Sequence, residues 1–328
     1  MTHNAKPEWA QNLSDFPVVF ISYHEPNAQQ NYDNLAKVLK EHNKAEPLWV
    51  QGVTGFDAAH KAAAALARES SVSLGQGTGS HFYTVDGDTQ INKDFWVTAN
   101  AYTLRDLPGQ DPLCTTYSWR YINNVNRLAY GNGGLKLWSY QFVDAMVTHE
   151  AADVNTPVVD FCWDTNYIQM QAIVGTTYIN ASPYQAWRAG FREGVKLLLQ
   201  GGKPIDLSTW RKQDNETNIR RMLHWFTVGL DAEYGWDAMR GASAGFKYAH
   251  IDGHPVNVVH DYKKLAQLYT DGEAGERTGD AHAFRLEEIK TFLGQAIPSL
   301  GAKQSQLVKT FLVYDKQPII KREDWQWL

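Results

Sequence analysis

Two cysteines in 328 residues, Cys114 and Cys162, are too few for a disulfide scaffold and lack the CxxC spacing of a zinc cluster. Long apolar runs are missing as well: no stretch approaches the roughly 18 residues of a membrane span. The opening residues, MTHNAKPEWA, hold no apolar signal-peptide core. Nor does one sign of charge dominate. Lys and Arg number 31 against 36 Asp and Glu, a net charge of −5, which excludes a histone-like basic protein and a disordered acidic tail. There is no internal repeat, and no glycine loop ends in the GK[ST] of a nucleotide-hydrolysing P-loop. The expectation is a soluble, cytoplasmic, globular protein with no membrane partner.

What is present is ample apolar material, 43% of residues, enough for a sizeable core. At roughly 100–200 residues per domain, the length fits two domains or one elaborated α/β domain. Aromatics reach 12%, with twelve tryptophans. Such rings act either as core anchors or as stacking platforms for flat ligands, and composition does not choose between them.

Patterning gives the architecture. Residues 16–22 (FPVVFIS) are a short β-branched run, as in a buried strand. Asn27 then precedes a helical pattern through Leu35, Val38 and Leu39. Residues 48–50 read as a second strand, 57–69 as an alanine-rich helix, and 81–85 (HFYTV) as a third strand. The Gly/Ser-rich 70–80 reads as a loop. Strand–helix–strand–helix–strand predicts a parallel, doubly wound sheet, whose ligands bind at the carboxyl ends of the strands. Further strand-like runs occupy 112–121, 135–138, 158–163 and 172–179, and helical patterns dominate from Pro183 on. A boundary near Ser182 divides a donor-type half, 1–182, from a mainly helical region, 183–328.

Two strand ends carry capable chemistry. The first strand runs into Ser22-Tyr23-His24-Glu25, and the third into Asp86-Gly87-Asp88. Gly87 lets the backbone approach a ligand closely, and carboxylates at i and i+2 suit one Mg²⁺ or Mn²⁺ completed by phosphate oxygens. An acidic turn after a strand is the plainer alternative. A phosphatase of the haloacid dehalogenase type also begins with Asp-x-Asp, but usually has Thr or Val two residues past the second Asp. Here Gln90 holds that position. Residues 52–61 (GVTGFDAAHK) place a turn before a helix carrying His60 and Lys61, a phosphate-attracting arrangement or simply a turn with an exposed lysine. Residues 130–136 (YGNGGLK) pack three glycines into a sharp bend between Trp119-Arg120 and Trp138.

Taken in order, FISYHEPNA, GVTGFDAAHKAAAALA, FYTVDGDTQI, NNVNRLAYGNGGLKLW and INASPYQAWRAGFREGVKL resemble a group of bacteriophage-encoded nucleotide-sugar glycosyltransferases of the GT-A fold. That group is associated with sugar modification of hydroxymethylated pyrimidines in phage DNA, and the resemblance covers roughly the first two hundred residues. Residues 70–80 depart from its pattern. The resemblance implies a Rossmann-like, GT-A-like α/β donor domain with a mixed acceptor region and a helical C-terminal part, and makes Asp86 and Asp88 the DxD pair holding Mn²⁺ or Mg²⁺. It implies Ser22, Tyr23 and Glu25 in the nucleotide pocket, and His60 and Lys61 against the nucleotide or diphosphate. Asn132, Gly133, Gly134 and Lys136 would shape the sugar and acceptor side. The donor would be a nucleotide sugar, UDP-linked, carrying glucose or a pentose such as arabinose.

An inverting transfer also needs a carboxylate base, and Asp160 and Asp164 in VVDFCWDTNY are the candidates, Asp160 first. Trp119 and Arg120 could receive a flipped base. Residues 187–221 hold eight Lys/Arg against four acidic residues, and Arg188, Arg192 and Lys196 share a helix face that suits DNA phosphates or plain solvent. Two other readings stand beside this one: a glycan acceptor for the same donor chemistry, or a non-catalytic sugar- or nucleic-acid-binding protein.

Overall fold

A computed structural model of the chain describes residues 11–73, 79–131, 133–147, 164–200, 203–204, 216–276, 279–294 and 296–310. The candidate base Asp160, the loop residue Asn132 and the expected strand at 158–163 lie outside them.

β1 (Val18–Ser22) alternates as a buried strand must. Val18 and Phe20 join one apolar cluster with Leu35 and Leu39 of α1 (Ala28–Glu41). Val19 joins another with Val50 of β2 (Leu48–Gln51) and with Ala63, Ala64 and Ala67 of α2 (Phe56–Ser73). Helices therefore cover both faces, and the alanine stripe lets α2 lie close to the strands. α2 continues through Ser73, further than the Gly/Ser content of the sequence indicates. Asn27 occupies the N-cap position of α1 without a capping bond, and its amide donates to the Tyr178 carbonyl at 3.4 Å.

β3 (His81–Asp86) turns through Gly87 and Asp88 into the short β4 (Thr89–Ile91), followed by α3 (Lys93–Ala99). Then come β5 (Thr116–Asn123), β6 (Ala129–Tyr130), β7 (Leu135–Ser139), α4 (Tyr140–Ala145) and β8 (Tyr167–Thr177). The sheet order is β2-β1-β3-β7-β5-β8-β4, with β6 paired to β5. β2, β1, β3, β5 and β8 run one way, while β7 lies antiparallel between β3 and β5. The α/β class holds: β2, β1 and β3 pair in parallel at the donor end, and the sheet becomes mixed from β7 on, where a mixed region was expected. Strand direction depends on how the chain returns, and apolar periodicity carries no record of it.

The chain divides into two compact units. One takes residues through Asn123 together with Ala129–Tyr178; the other takes Asn124–Leu128 and the described residues from Ile179. The second unit is helical: α5 (Pro183–Lys196), α6 (Glu216–Thr227), α7 (Gly235–Phe246), α8 (Tyr262–Glu276), α9 (Gly279–Leu293) and α10 (Ala302–Thr310). α5 starts where its sequence dictates, with Pro183 at N1 and the Ser182 hydroxyl accepting from the Gln185 N–H at 3.1 Å. Gly190 and Gly194 of α5 meet the carbonyls of Ala238 and Ala242, and Gly241 and Gly245 of α7 meet those of Trp187 and Phe191. A Cβ at any of the four would collide with backbone.

Candidate functional site

The chain passes from β1 to β2 on one side of β1, then to β3 on its other side. That reversal is a topological switch point, where the carboxyl ends of neighbouring strands leave a crevice. Both capable segments of the sequence are at this place, because β1 ends in Ser22 and β3 in Asp86.

Gly87 is the tightest point. A Cβ there would stand 2.9 Å from Glu25 Oε2 and 2.9 Å from Ser22 Cβ, so only glycine lets the turn seat against the end of β1. Glu25 Oε2 accepts the Tyr23 N–H at 2.7 Å. Ser22 is buried and its hydroxyl accepts from Trp49 Nε1 at 2.8 Å, so it anchors the strand end. The Gly52 N–H donates to the Ser22 carbonyl at 2.9 Å, and Thr54 donates to the Tyr23 hydroxyl at 3.4 Å. The ends of β1 and β2 and the start of α2 are thereby tied together.

The acidic turn is held from three sides. Asn31 of α1, 1% exposed, donates to the Gly87 carbonyl at 2.9 Å and accepts from Gln90 Nε2 at 2.9 Å. The Asp88 carbonyl accepts from the Tyr178 N–H at 2.6 Å, and the Thr89 hydroxyl donates to the Asp88 carboxylate at 3.3 Å. The Asp86 N–H donates to the Gly134 carbonyl at 2.9 Å. Behind the turn stands Lys136 of β7, 3% exposed, whose ammonium lies 3.7 Å from Asp86 Oδ2 and donates to the Gly133 carbonyl at 2.9 Å. Asn31, Gln90 and Tyr178 were not singled out by sequence. A polar residue inside a polar helical stretch has no local mark that its partner is a distant turn.

The glycine segment is packed in. The Gly133 N–H donates to the Trp119 carbonyl at 3.2 Å, Ser118 donates to the Gly131 carbonyl at 3.1 Å, and Gly134 seats against Thr89. Lys136, expected on the sugar and acceptor side, is bound instead to the first aspartate. Its charge also acts on His60, whose pKa is pushed down to about 3, first by burial and then by Lys136. His60 Nδ1 lies 2.8 Å from the Phe56 carbonyl, so the neutral ring donates there and Nε2 keeps its lone pair. Its ring is stacked on Phe56 at 4.0 Å and meets Trp138 edge-on at 4.9 Å. His60, 3% exposed, thus offers no positive charge to a phosphate. Lys61, one residue on, is exposed.

Two more expectations are corrected. Trp119 is fully buried, packed against Phe95 at 5.2 Å and Tyr83 at 6.1 Å, and is no platform for a flipped base. The alternation of β5 sends Tyr117, Trp119 and Tyr121 together into one cluster. Arg120, next along β5, is half-buried where the pairing with β8 shifts register. Asp164 is exposed, and its carboxylate accepts the Asn166 N–H at 2.8 Å in the turn before β8. Thr84, Lys136, Ser118 and Gln169 form one row across the sheet. Asp86 lies past that row and Asp164 before it, three strands away, so strand rise and strand spacing together separate them by on the order of 20 Å. A base must come within about 3 Å of its proton, so Asp164 does not serve chemistry at Asp86.

For a metal, the described residues contain no group of three or more His, Cys, Asp or Glu that converges on one point. Asp86 and Asp88, both half-buried at the turn, are a two-carboxylate set. Such a set fits a hard cation that takes its remaining ligands from phosphate oxygens and water.

In the second unit, Arg188 and Arg192 of α5 lie over tyrosines. Their guanidinium carbons are 4.9 and 5.8 Å from the Tyr262 ring centroid, and Arg188 is also 5.6 Å from that of Tyr184. Lys196, a further turn on, is exposed. No described helix is long and apolar enough to cross a membrane.

No protein-family model matches the chain, and no curated protein matches it. Among solved structures, the chain is similar to a glycosyltransferase involved in the glycosylation of the major capsid of PBCV-1, at 13% identity and a TM-score of 0.24. The match covers 39% of this chain and 62% of that one, so the chain spans less than two thirds of its length. A likeness of that size carries no argument about chemistry.

Proposed function

We propose that this chain is a nucleotide-sugar-dependent glycosyltransferase whose donor diphosphate sits at the β1/β3 crevice and whose acceptor is a hydroxymethylpyrimidine base of phage DNA. One observation carries the donor half of this reading: the Asp86-Gly87-Asp88 turn is locked against Ser22 and Glu25 at a topological switch point, with a buried lysine behind it.

In this reading Asp86 and Asp88 hold Mn²⁺ or Mg²⁺, which when bound neutralises charge on the departing diphosphate. Tyr23 and Glu25 border the nucleotide, a uridine diphosphate by the sequence resemblance. Lys61, exposed near the start of α2, supplies a point charge beside that helix's N-terminus. Asn132, Gly133 and Gly134 border the sugar, glucose or a pentose such as arabinose. The sugar–phosphate bond breaks through an oxocarbenium-like transition state as the acceptor hydroxyl attacks, and in an inverting transfer Asp160 takes its proton. Arg188, Arg192 and Lys196 bind DNA phosphates without reading sequence. The place of action is the cytoplasm of the host cell.

The decisive experiment is mass spectrometry of nucleosides from hydroxymethylated DNA incubated with the protein, Mn²⁺ and candidate UDP-sugars. A hexose or pentose adduct on the hydroxymethyl base, absent with Asp88→Ala or excess EDTA, is the expected result. Nucleotide-sugar hydrolysis without a DNA adduct overturns the acceptor and moves the reading to a glycan. An Asp88→Ala variant of full activity overturns the metal site.

A further inference from the structure

We propose that Lys136 is a built-in counter-ion that couples cation binding to donor binding, so that the Asp86-Gly87-Asp88 turn takes a divalent cation together with the nucleotide diphosphate and only weakly without it. The inference rests on the metal-and-donor reading above and concerns its order and energetics.

Lys136 reaches the site from β7, the strand that lies antiparallel beside β3. Its side chain is 3% exposed, while that of Asp86 is 41% exposed. The ammonium is therefore fixed on the protein side of the carboxylate, at 3.7 Å, while part of the Asp86 side chain faces solvent. It is anchored by its bond to the Gly133 carbonyl, and at 3% exposure it meets little water. His60, whose pKa burial and Lys136 push down, is neutral and adds no second positive charge there. Among the described residues, the acidic groups at this turn are Asp86, Asp88 and Glu25, the last engaged with the Tyr23 N–H.

A divalent cation on Asp86 binds about 2.0–2.2 Å from its oxygen, which brings two positive centres to opposite sides of one carboxylate. Little water screens them on the lysine side, so the repulsion is weakly damped. A diphosphate changes the sign of the balance. Its oxygens supply negative charge on the open side and complete the cation's coordination, so each ligand improves the site for the other. Reciprocity follows from linkage: the factor by which UDP tightens the cation is the factor by which the cation tightens UDP. Before the donor arrives, Lys136 neutralises Asp86 and holds the turn in shape.

The test uses the full chain and follows free Mn²⁺ by electron paramagnetic resonance, with and without UDP, after subtracting the chelation by UDP in protein-free titrations. In the wild type UDP should tighten Mn²⁺ at least about tenfold. Lys136→Gln, which removes the charge but can still donate to the Gly133 carbonyl, should bind Mn²⁺ alone about tenfold more tightly than the wild type and lose most of the coupling. Lys136→Arg should keep it. Wild-type protein that binds Mn²⁺ equally well with and without UDP overturns the proposal without any variant, as does unchanged coupling in a folded Lys136→Gln. Failure to bind UDP under any condition overturns the donor-site reading itself.

Discussion

Replacing Asn31 by alanine removes a side chain that links α1 to the acidic turn. The Gly87 carbonyl then loses its only described side-chain donor in a place where water does not reach, since Asn31 itself is 1% exposed. A buried backbone acceptor left unsatisfied costs about 1–3 kcal/mol. Gln90 loses an acceptor too, but it is half-exposed and water replaces the bond, adding less than about 1 kcal/mol. A total of about 1–4 kcal/mol lowers the melting temperature of a unit of this size by about 2–16 °C. Gln90→Ala alone, where water can follow the lost side chain to the Asn31 amide oxygen, should shift it by no more than about 4 °C. Scanning calorimetry of the two single variants and the double variant measures this directly. The double variant should melt close to Asn31→Ala, because the bond between the two residues is already gone. A melting temperature for Asn31→Ala within 2 °C of wild type, or equal losses from the two singles, refutes the idea that the Gly87 carbonyl is what Asn31 serves.

Trp119→Ala should unfold the first unit more readily by about 3–5 kcal/mol in denaturant titrations, because a fully buried ring leaves a cavity between Phe95 and Tyr83; a loss of DNA binding with unchanged stability would contradict this. Burial pushes the pKa of His60 down to about 3 and that of His81 to about 4. Both are neutral when folded and take up a proton on unfolding below their ordinary value near 6.5. Their stability contribution is therefore full above pH 6.5 and declines as pH falls towards about 4, by up to about 1.4 kcal/mol per pH unit for each. Urea midpoints across that window should fall, and His60→Phe should flatten the slope. Lys61→Ala should weaken UDP binding in calorimetry severalfold and leave DNA affinity alone; equal donor affinity would make Lys61 a surface charge only.

Sequence carried the donor end of the fold well. The β-branched run at β1 and the Asp-Gly-Asp after β3 are local signals, and local signals survive folding. What it could not carry was anything that depends on register or direction. The antiparallel course of β7 places Lys136 beside Asp86, and no spacing between residues 86 and 136 foretells that. Asp164 looked like a strand-end carboxylate, but it lies before the start of β8, and β8 runs parallel to β5. The three glycines near residue 131 announce a bend and close packing with the same composition. Trp119 was legible in principle: Thr-Tyr-Ser-Trp-Arg-Tyr alternates, and the aromatic face of such a strand belongs inside.

The four glycines shared by α5 and α7 have a consequence in time rather than in space. With no side chains between them, the two helices touch backbone to backbone, and the Cα–H groups of each lie against the carbonyls of the other. A pair seated this way has no rotamers to rearrange and no half-separated arrangement that keeps its contacts. Opening it exposes both backbones at once, so its amide protons should exchange with solvent only through the unfolding of the whole helical unit. Arg188 and Arg192 ride on the outer side of that pair, over Tyr262. Whatever those cations meet, they meet it from a support that stands still on the timescale of binding.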